Sequence, residues 1–237
     1  MITIRDIKQK STLARLFMKL AKAVILLNMI LLFTACAPSL YSVNINYEPS
    51  STTPVPRNIE KKYSVTIATF NDVRPGGDDL LIGKVITSSG NNTPIIPKNL
   101  RPSQAVAASL RDYMRKDGYT ITNKIPSWNL QENTIKKEWG SILIGGNIDK
   151  MEITCHDSIT LTKYLAEVKL TLYFSNVQTG KIFYIVSATG TSSLEHVRFS
   201  EKLLEEQING ALSSAIEDIF RSKSIQLKIE ETLRKNP

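Results

Sequence analysis

Histidine and cysteine are nearly missing from this chain, with two of each among 237 residues. His156 and His196 lie far apart and neither opens a His-x-x-x-His pair, so no metal site is expected and both read as surface or edge residues. Two cysteines exclude a disulfide framework. No Gly-x-Ser-x-Gly elbow occurs, and no serine is followed three places on by lysine, which removes the commonest serine-nucleophile signatures. Gly145-Gly146-Asn147 is not a dinucleotide loop; glycine inside a strand marks a bend or a close backbone approach. Long apolar runs are absent too. Residues 21–35 make the one extended stretch, and Asn28 interrupts it, short of the about 20 residues that a membrane-crossing helix needs. These absences lead to the expectation of a protein without enzymatic activity, cofactor or metal.

What closes that short run is more informative. It ends in Phe33-Thr34-Ala35-Cys36, with Lys and Arg upstream and Pro38 just after. A charged start, a short apolar core and a small-residue cleavage site make a secretory signal peptide. A cysteine directly behind the small residues makes it a lipoprotein signal. Residues 1–35 are therefore expected to be removed, and Cys36 to be acylated, palmitate included, as the first mature residue. Ala37 stands where Asp would retain a lipoprotein in the inner membrane, so the expected address is the periplasmic face of the outer membrane. Met18-Lys19-Leu20-Ala21-Lys22 would by itself supply a compact charged start, so Met1 and Met18 are alternative initiators.

Charge reads differently once this segment is set aside. The full chain is +8, but residues 1–35 hold six of the thirty Lys and Arg and one acid, which leaves 24 basic and 21 acidic residues, or +3. The case for nucleic-acid binding goes with them, because it wants a basic face kept in the mature domain. About 200 remaining residues suit one domain with one core. With Cys36 committed to lipid, Cys155 has no intramolecular partner and is expected to be buried.

Residues 36–60 contain Pro38, Pro49, Pro54 and Pro56 and the run Ser50-Ser51-Thr52-Thr53. Such composition cannot bury enough apolar surface to offset ordering, so the segment reads as a lipidated flexible tether. Val43, Ile45 and Tyr47 alternate with polar residues, the pattern of a short strand docking early. The folded domain is expected over residues 61–222, with 223–237 a tail or short helix. Strands are expected over 63–70, 80–86, 119–122, 141–154, 164–175 and 181–189, with loops at 71–79 and 88–99. Helices are expected from Pro102 to the Asp117-Gly118 stop, and over 201–221 behind Ser200 as N-cap. Residues 127–139 read as a short irregular helix anchored by Trp128 and Trp139. Parity changes between Ile148 and Met151, which implies a β-bulge near Asp149-Lys150. The fold class is α+β: a two-layer sandwich of mostly antiparallel sheet with two main helices on one face.

The chain resembles the YajG-like family of small outer-membrane lipoproteins. The resemblance rests on the lipobox at Cys36, on Asp72-Val73-Arg74 after the first strand, and on Asn99-Leu100-Arg101 before a helix closing with Asp117-Gly118-Tyr119. It departs from that pattern by inserting residues 127–139. What it implies is a lipid-anchored envelope protein without an established enzymatic activity.

The one candidate site is the loop Asn71-Asp72-Val73-Arg74-Pro75-Gly76-Gly77-Asp78-Asp79. It lacks the alternating ligands and distal Glu of an EF-hand. Two readings stand: a solvated turn with an internal Asp72–Arg74 ion pair, or a partner-contact surface formed by Asp72, Arg74, Asp78 and Asp79. The expected function is a non-catalytic lipoprotein that binds or positions a periplasmic envelope protein. The alternative is an envelope hydrolase or sugar-binding enzyme with an unrecognised carboxylate site. A pocket holding two or more of Asp72, Asp78, Asp79, Glu152 and Asp157 would favour the enzyme, and an exposed apolar patch the partner.

Overall fold

The structure, a computed structural model, describes residues 40–50, 64–76 and 78–234. Residues 1–39 with Cys36 and the signal segment, residues 51–63, Gly77 and the last three residues lie outside the described residues, and the cleavage and lipidation expectations with them. In chain order the elements are β1 (Tyr41–Val43), β2 (Ser64–Ile67), β3 (Asn71–Asp72), β4 (Gly83–Thr87), β5 (Asn92–Pro97), α1 (Pro102–Lys116) and β6 (Thr120–Ile121). A 3-10 turn (Glu132–Thr134), β7 (Ile142–Asp157), β8 (Thr162–Asn176), β9 (Lys181–His196), α2 (Glu201–Arg221) and α3 (Lys223–Arg234) follow.

The strands form one nine-stranded mixed sheet curled into a half-barrel. Strand β7 is its axis. One edge of β7 carries β8, antiparallel over its whole length, with β9 beyond. The other edge is shared by three short strands from a single stretch of chain, all parallel to β7. Strand β2 pairs with Ile142 to Ile144, β3 with Asn147 and Ile148, and β4 with Ile153 to Asp157. Beyond them the sheet forks: β6 flanks β2, while β5 and then β1 flank β4. The expected mostly antiparallel two-layer sandwich is corrected accordingly. Parallel pairing needs crossovers of a dozen or more residues, and the long connections through α1 and residues 122–141 supply them. The antiparallel pairs are β4–β5, β7–β8 and β8–β9.

The expected loop at 88–99 contains β5. Its two prolines misdirect a sequence reading, because proline cannot donate to a sheet ladder. The Lys98 N–H donates to Val43 O, so even-numbered nitrogens of β5 face β1. Pro94 precedes the first β1 pair, Tyr41 with Ile95, and Pro97 lies past the β4 pairing, which stops at Gly83 with Ile95. Neither nitrogen stands where a partner carbonyl needs it.

Both main helices pack on the same face of the sheet, in one core with Ile142, Ile144, Ile148, Met151, Ile153 and Cys155. The register shift falls between Ile148 and Lys150, which is the bulge that the parity change requires. Helix α2 buries Leu204, Ile208, Leu212, Ala215, Ile216 and Ile219, and each large apolar side chain contributes about 1.5–3 kcal/mol. Its Ser200 makes no side-chain cap; the Ser200 N–H instead donates to the Tyr164 hydroxyl at 2.8 Å. Helix α1 ends in a Schellman motif: Tyr119 N–H reaches Met114 O, Gly118 N–H reaches Arg115 O, and Gly118 takes φ +94°, which suits glycine. Arg111 of α1 is buried and donates from Nη2 to Ile67 O at 2.7 Å. Helix α3 buries Ile225 and Ile229, so residues 223–234 are part of the fold.

The tether reading is corrected over residues 41–50. Val43, Ile45 and Tyr47 are buried in the main core, and the alternating residues between them run along α2. Backbone N–H groups of Asn44, Asn46, Glu48 and Ser50 donate in turn to Glu205 Oε2 (2.8 Å), Asn209 Oδ1 (3.0 Å), Ser213 Oγ (2.9 Å) and Glu217 Oε1 (2.9 Å). The register is geometric: two residues of extended chain advance about 6.6 Å and four residues of helix about 6.0 Å. A polar i, i+4 stripe on a helix can therefore replace the neighbouring strand. The tether composition hid this because the ladder partners are side chains about 160 residues away.

Candidate functional site

Between Asp72 opposite Ile148 and Gly83 opposite Ile153 the chain loops away from the sheet at the fork and returns at Ile82, whose carbonyl accepts from Ile153 N–H at 2.8 Å. Over the same interval β7 advances only from Asp149 to Glu152, so several carbonyls on both chains lack a ladder partner. Arg74 supplies the donors. Its Nε and Nη2 grip Asp72 Oδ1 (2.8 Å) and Oδ2 (2.7 Å) in a bidentate pair. Nη1 donates to Leu81 O (2.9 Å) and Met151 O (3.2 Å), and Nη2 also to Asp79 O (2.8 Å). The planar fork of arginine suits this task, since it directs five donors from one rigid group. The pair is sheltered, with side-chain exposures of 11% for Arg74 and 17% for Asp72.

The loop is thus closed by an internal ion pair rather than solvated around one. Asp78 Oδ1 accepts from Leu80 N at 2.9 Å, and Asp79 pairs with Arg101 on the surface. Asp72 and Arg74 are occupied with the loop itself. Beside exposed Asp78 and Asp79 the loop displays apolar side chains: Val73, Leu80 and Leu81 are exposed, and so is Leu100 beside Arg101. Sequence reasoning singled out the charged residues and missed these neighbours. The signal was there, since three apolar residues flank a Pro-Gly-Gly turn where a loop is normally polar.

A second feature lies on the opposite face of the sheet. Trp128, Trp139, Ala68, Leu143 and Val177 form a small separate core under the segment 127–139. A cleft of about 370 Å³ opens beside it, lined by Asn71, Ser127, Trp128, Asn129, Lys136 and Trp139 among others. Gly145 makes room for it: a Cβ there would stand 2.7 Å from Cε3 of Trp128. Trp128 Nε1 donates to Gln131 O at 3.0 Å, and the Lys136 ammonium lies 5.9 Å from the Trp139 ring centroid. Leu130 adopts φ +63°, a left-handed conformation that costs a non-glycine residue about 1–2 kcal/mol. None of Asp72, Asp78, Asp79, Glu152 and Asp157 lines this cleft.

Cys155 is buried, and burial with Asp157 nearby pushes its thiol up to about 12. His156 and His196 are exposed. Among the described residues no three His, Cys, Asp or Glu side chains gather as metal ligands, and no helix is long and apolar enough to cross a membrane.

No protein-family model and no curated protein matches the sequence. Solved structures are similar at low identity. Protein XCC0632 of Xanthomonas campestris, described under family DUF330, is 8% identical with a TM-score of 0.49, over 83% of this chain and 99% of that one. Lipoprotein GNA1162 of Neisseria meningitidis is 11% identical with a TM-score of 0.36, over 67% of this chain and 99% of the other. The LpoB C-terminal domain of Salmonella enterica is 10% identical with a TM-score of 0.32, over 56% and 86%.

Proposed function

We propose that this protein is a YajG-like, non-catalytic envelope lipoprotein, held to the outer membrane through lipid on Cys36, that presents a preorganised loop to a periplasmic protein partner. The lipobox carries the address. The observation that carries the binding role is the construction of loop 73–82, where a sheltered Arg74 locks the backbone and leaves Val73, Leu80 and Leu81 facing solvent. Apolar side chains held rigidly on a polar loop lose little entropy on contact, which favours recognition. The contact surface is therefore assigned to Val73, Leu80, Leu81, Leu100 and the charges of Asp78 and Asp79, with Asp72 and Arg74 as its frame. An enzyme reading would need carboxylates converging on a cleft, and the charged group lining the Trp128 cleft is Lys136.

Photo-cross-linking from native membranes tests this. A cross-linker at Leu81 should capture one discrete protein, and the same group at exposed Gln178 should not. Equal labelling at both positions, or none at Leu81, refutes the assignment. Mass spectrometry of the N-terminal peptide checks the anchor independently, because an unmodified Cys36 in membrane-extracted protein would end the lipoprotein reading.

A further inference from the structure

The docking of residues 41–50 changes what the anchor can do. A 25-residue tether would let the domain stand off from the bilayer, whereas strand β1 already starts at Tyr41, five residues after Cys36. An extended chain spans at most about 3.6 Å per residue, so a lipid on Cys36 lies within about 14 Å of Leu40. One end of the domain must then sit against the membrane, and the sheet register says which.

Tyr41 is opposite Ile95, Ile95 opposite Gly83, and Gly83 opposite Ile153. Strand β1 is parallel to β5, β5 antiparallel to β4, and β4 parallel to β7. Moving back from Tyr41 towards the anchor is therefore moving forward along β7 towards Asp157, where the β7–β8 turn begins. The curl of the sheet brings the end of β9 to the same place: the Tyr41 and Phe199 rings lie 4.9 Å apart. Thr162 pairs with His196, which sets Leu161 beside Val197.

That end is uncommonly apolar. Ile159 is 92% exposed and Val197 68%, with Leu40 and Leu161 exposed near them. The turn is Ser158-Ile159-Thr160-Leu161, without a charge, and it is held rigid. Leu161 N–H donates to Ser158 Oγ (3.2 Å), Ser158 Oγ donates to Leu161 O, and Thr162 Oγ1 donates to Asp157 Oδ1 (2.7 Å). The charges that border that end are Asp157, which accepts from Thr162, exposed Arg198 beside Val197, and Lys163 and Glu195, which pair with each other at 3.5 Å. A rigid, uncharged turn with an isoleucine at its tip fits the boundary between headgroups and acyl chains, where apolar side chains of surface-bound segments settle.

We infer that the β7–β8 turn and the end of β9 rest in the bilayer that holds Cys36, with Ile159, Leu161 and Val197 entering it. The inference rests on the lipoprotein reading. The acyl chains supply retention, so the turn supplies orientation: it sets the domain upright on the membrane and points the β8–β9 turn, at the far end of β8, into the periplasm.

The test uses the acylated full-length protein in vesicles of phosphatidylethanolamine and phosphatidylglycerol, with acylation of Cys36 confirmed by mass spectrometry. An environment-sensitive dye is placed on Ile159→Cys or on Gln178→Cys; Cys155 is buried and does not compete. The dye at 159 should shift to the blue and lose fluorescence to nitroxide-labelled lipid, and the dye at 178 should do neither. Adding Leu161→Asp and Val197→Asp should return the dye at 159 to water while the protein stays membrane-bound. A dye at 159 as wet as that at 178, in acylated protein, overturns the turn contact and leaves the anchor standing. A dye at 159 already shielded before vesicles are added places a second copy of the chain there and overturns it too. An unacylated Cys36 overturns both.

Discussion

Two irregular stretches of this molecule face the same problem and solve it with opposite chemistry. Residues 44–50 run beside a helix, which offers no backbone ladder, and their orphans are N–H groups. Between Asp72 and Gly83 the chain loops away from a forked sheet, and its orphans are carbonyls. Unpaired buried backbone groups are costly, so each stretch recruits side chains. The first uses acceptors spread over four positions of α2, Glu205, Asn209, Ser213 and Glu217. The second concentrates its donors in Arg74. Distributed satisfaction should degrade by steps, and concentrated satisfaction should fail at once.

The largest effect that would test this contrast is Arg74→Ala. It leaves the Asp72 carboxylate sheltered without its partner and three carbonyls without donors, and should cost about 3 kcal/mol in a denaturant titration. Arg74→Lys keeps the charge but not the fork, and should restore less than half of that. If Arg74→Ala costs under about 0.5 kcal/mol, the ordinary surface range, the concentrated model is wrong.

Glu217→Ala comes next. Glu217 Oε1 accepts from both the Tyr47 hydroxyl (3.0 Å) and Ser50 N–H, and losing a charged acceptor should cost about 2 kcal/mol. Ser213→Ala removes one rung and should cost about 1 kcal/mol, with the rest of the segment still docked. Hydrogen exchange of Asn46 and Glu48 reads this directly. Loss of protection at both, from the Ser213 change alone, would show that the segment detaches as a unit rather than rung by rung.

The smallest effect at neutral pH belongs to Cys155, in the main core against which both stretches pack. Its thiol titrates near 9.0 when exposed and is pushed up to about 12 in the folded protein. A raised folded value means that its contribution is complete below pH 9 and is lost as pH climbs towards 12. At pH 8 the native protein should not react with iodoacetamide, while the unfolded chain should. Prompt labelling of the native form would show that the core opens around β7.

Local signals were read correctly where neighbours in sequence are neighbours in space. The span of α2, the stop at Gly118, the bulge after Ile148 and the long strands β7 and β8 depend on periods and turns within a few residues. The failures share a cause. Strand β5 is a strand because β1 and β4 end where its prolines begin to matter, and residues 44–50 are ordered because a helix far along the chain carries acceptors four apart. Arg74 was legible as an ion-pairing partner of Asp72. Its bond to Met151 O was not, because nothing near Arg74 marks where β7 will pass.

The sequence alone determined the apolar stripe of α2 and the buried face of β8, because these follow from residue spacing and the fixed periods of helix and strand. Tertiary structure decided the fork beside β7, the closing of loop 73–82 by Arg74 and the docking of the former tether. Each of these depends on backbone groups left unpaired by one part of the chain and met by side chains from another. Such a match has no signature in either segment, because neither shows which groups the other lacks.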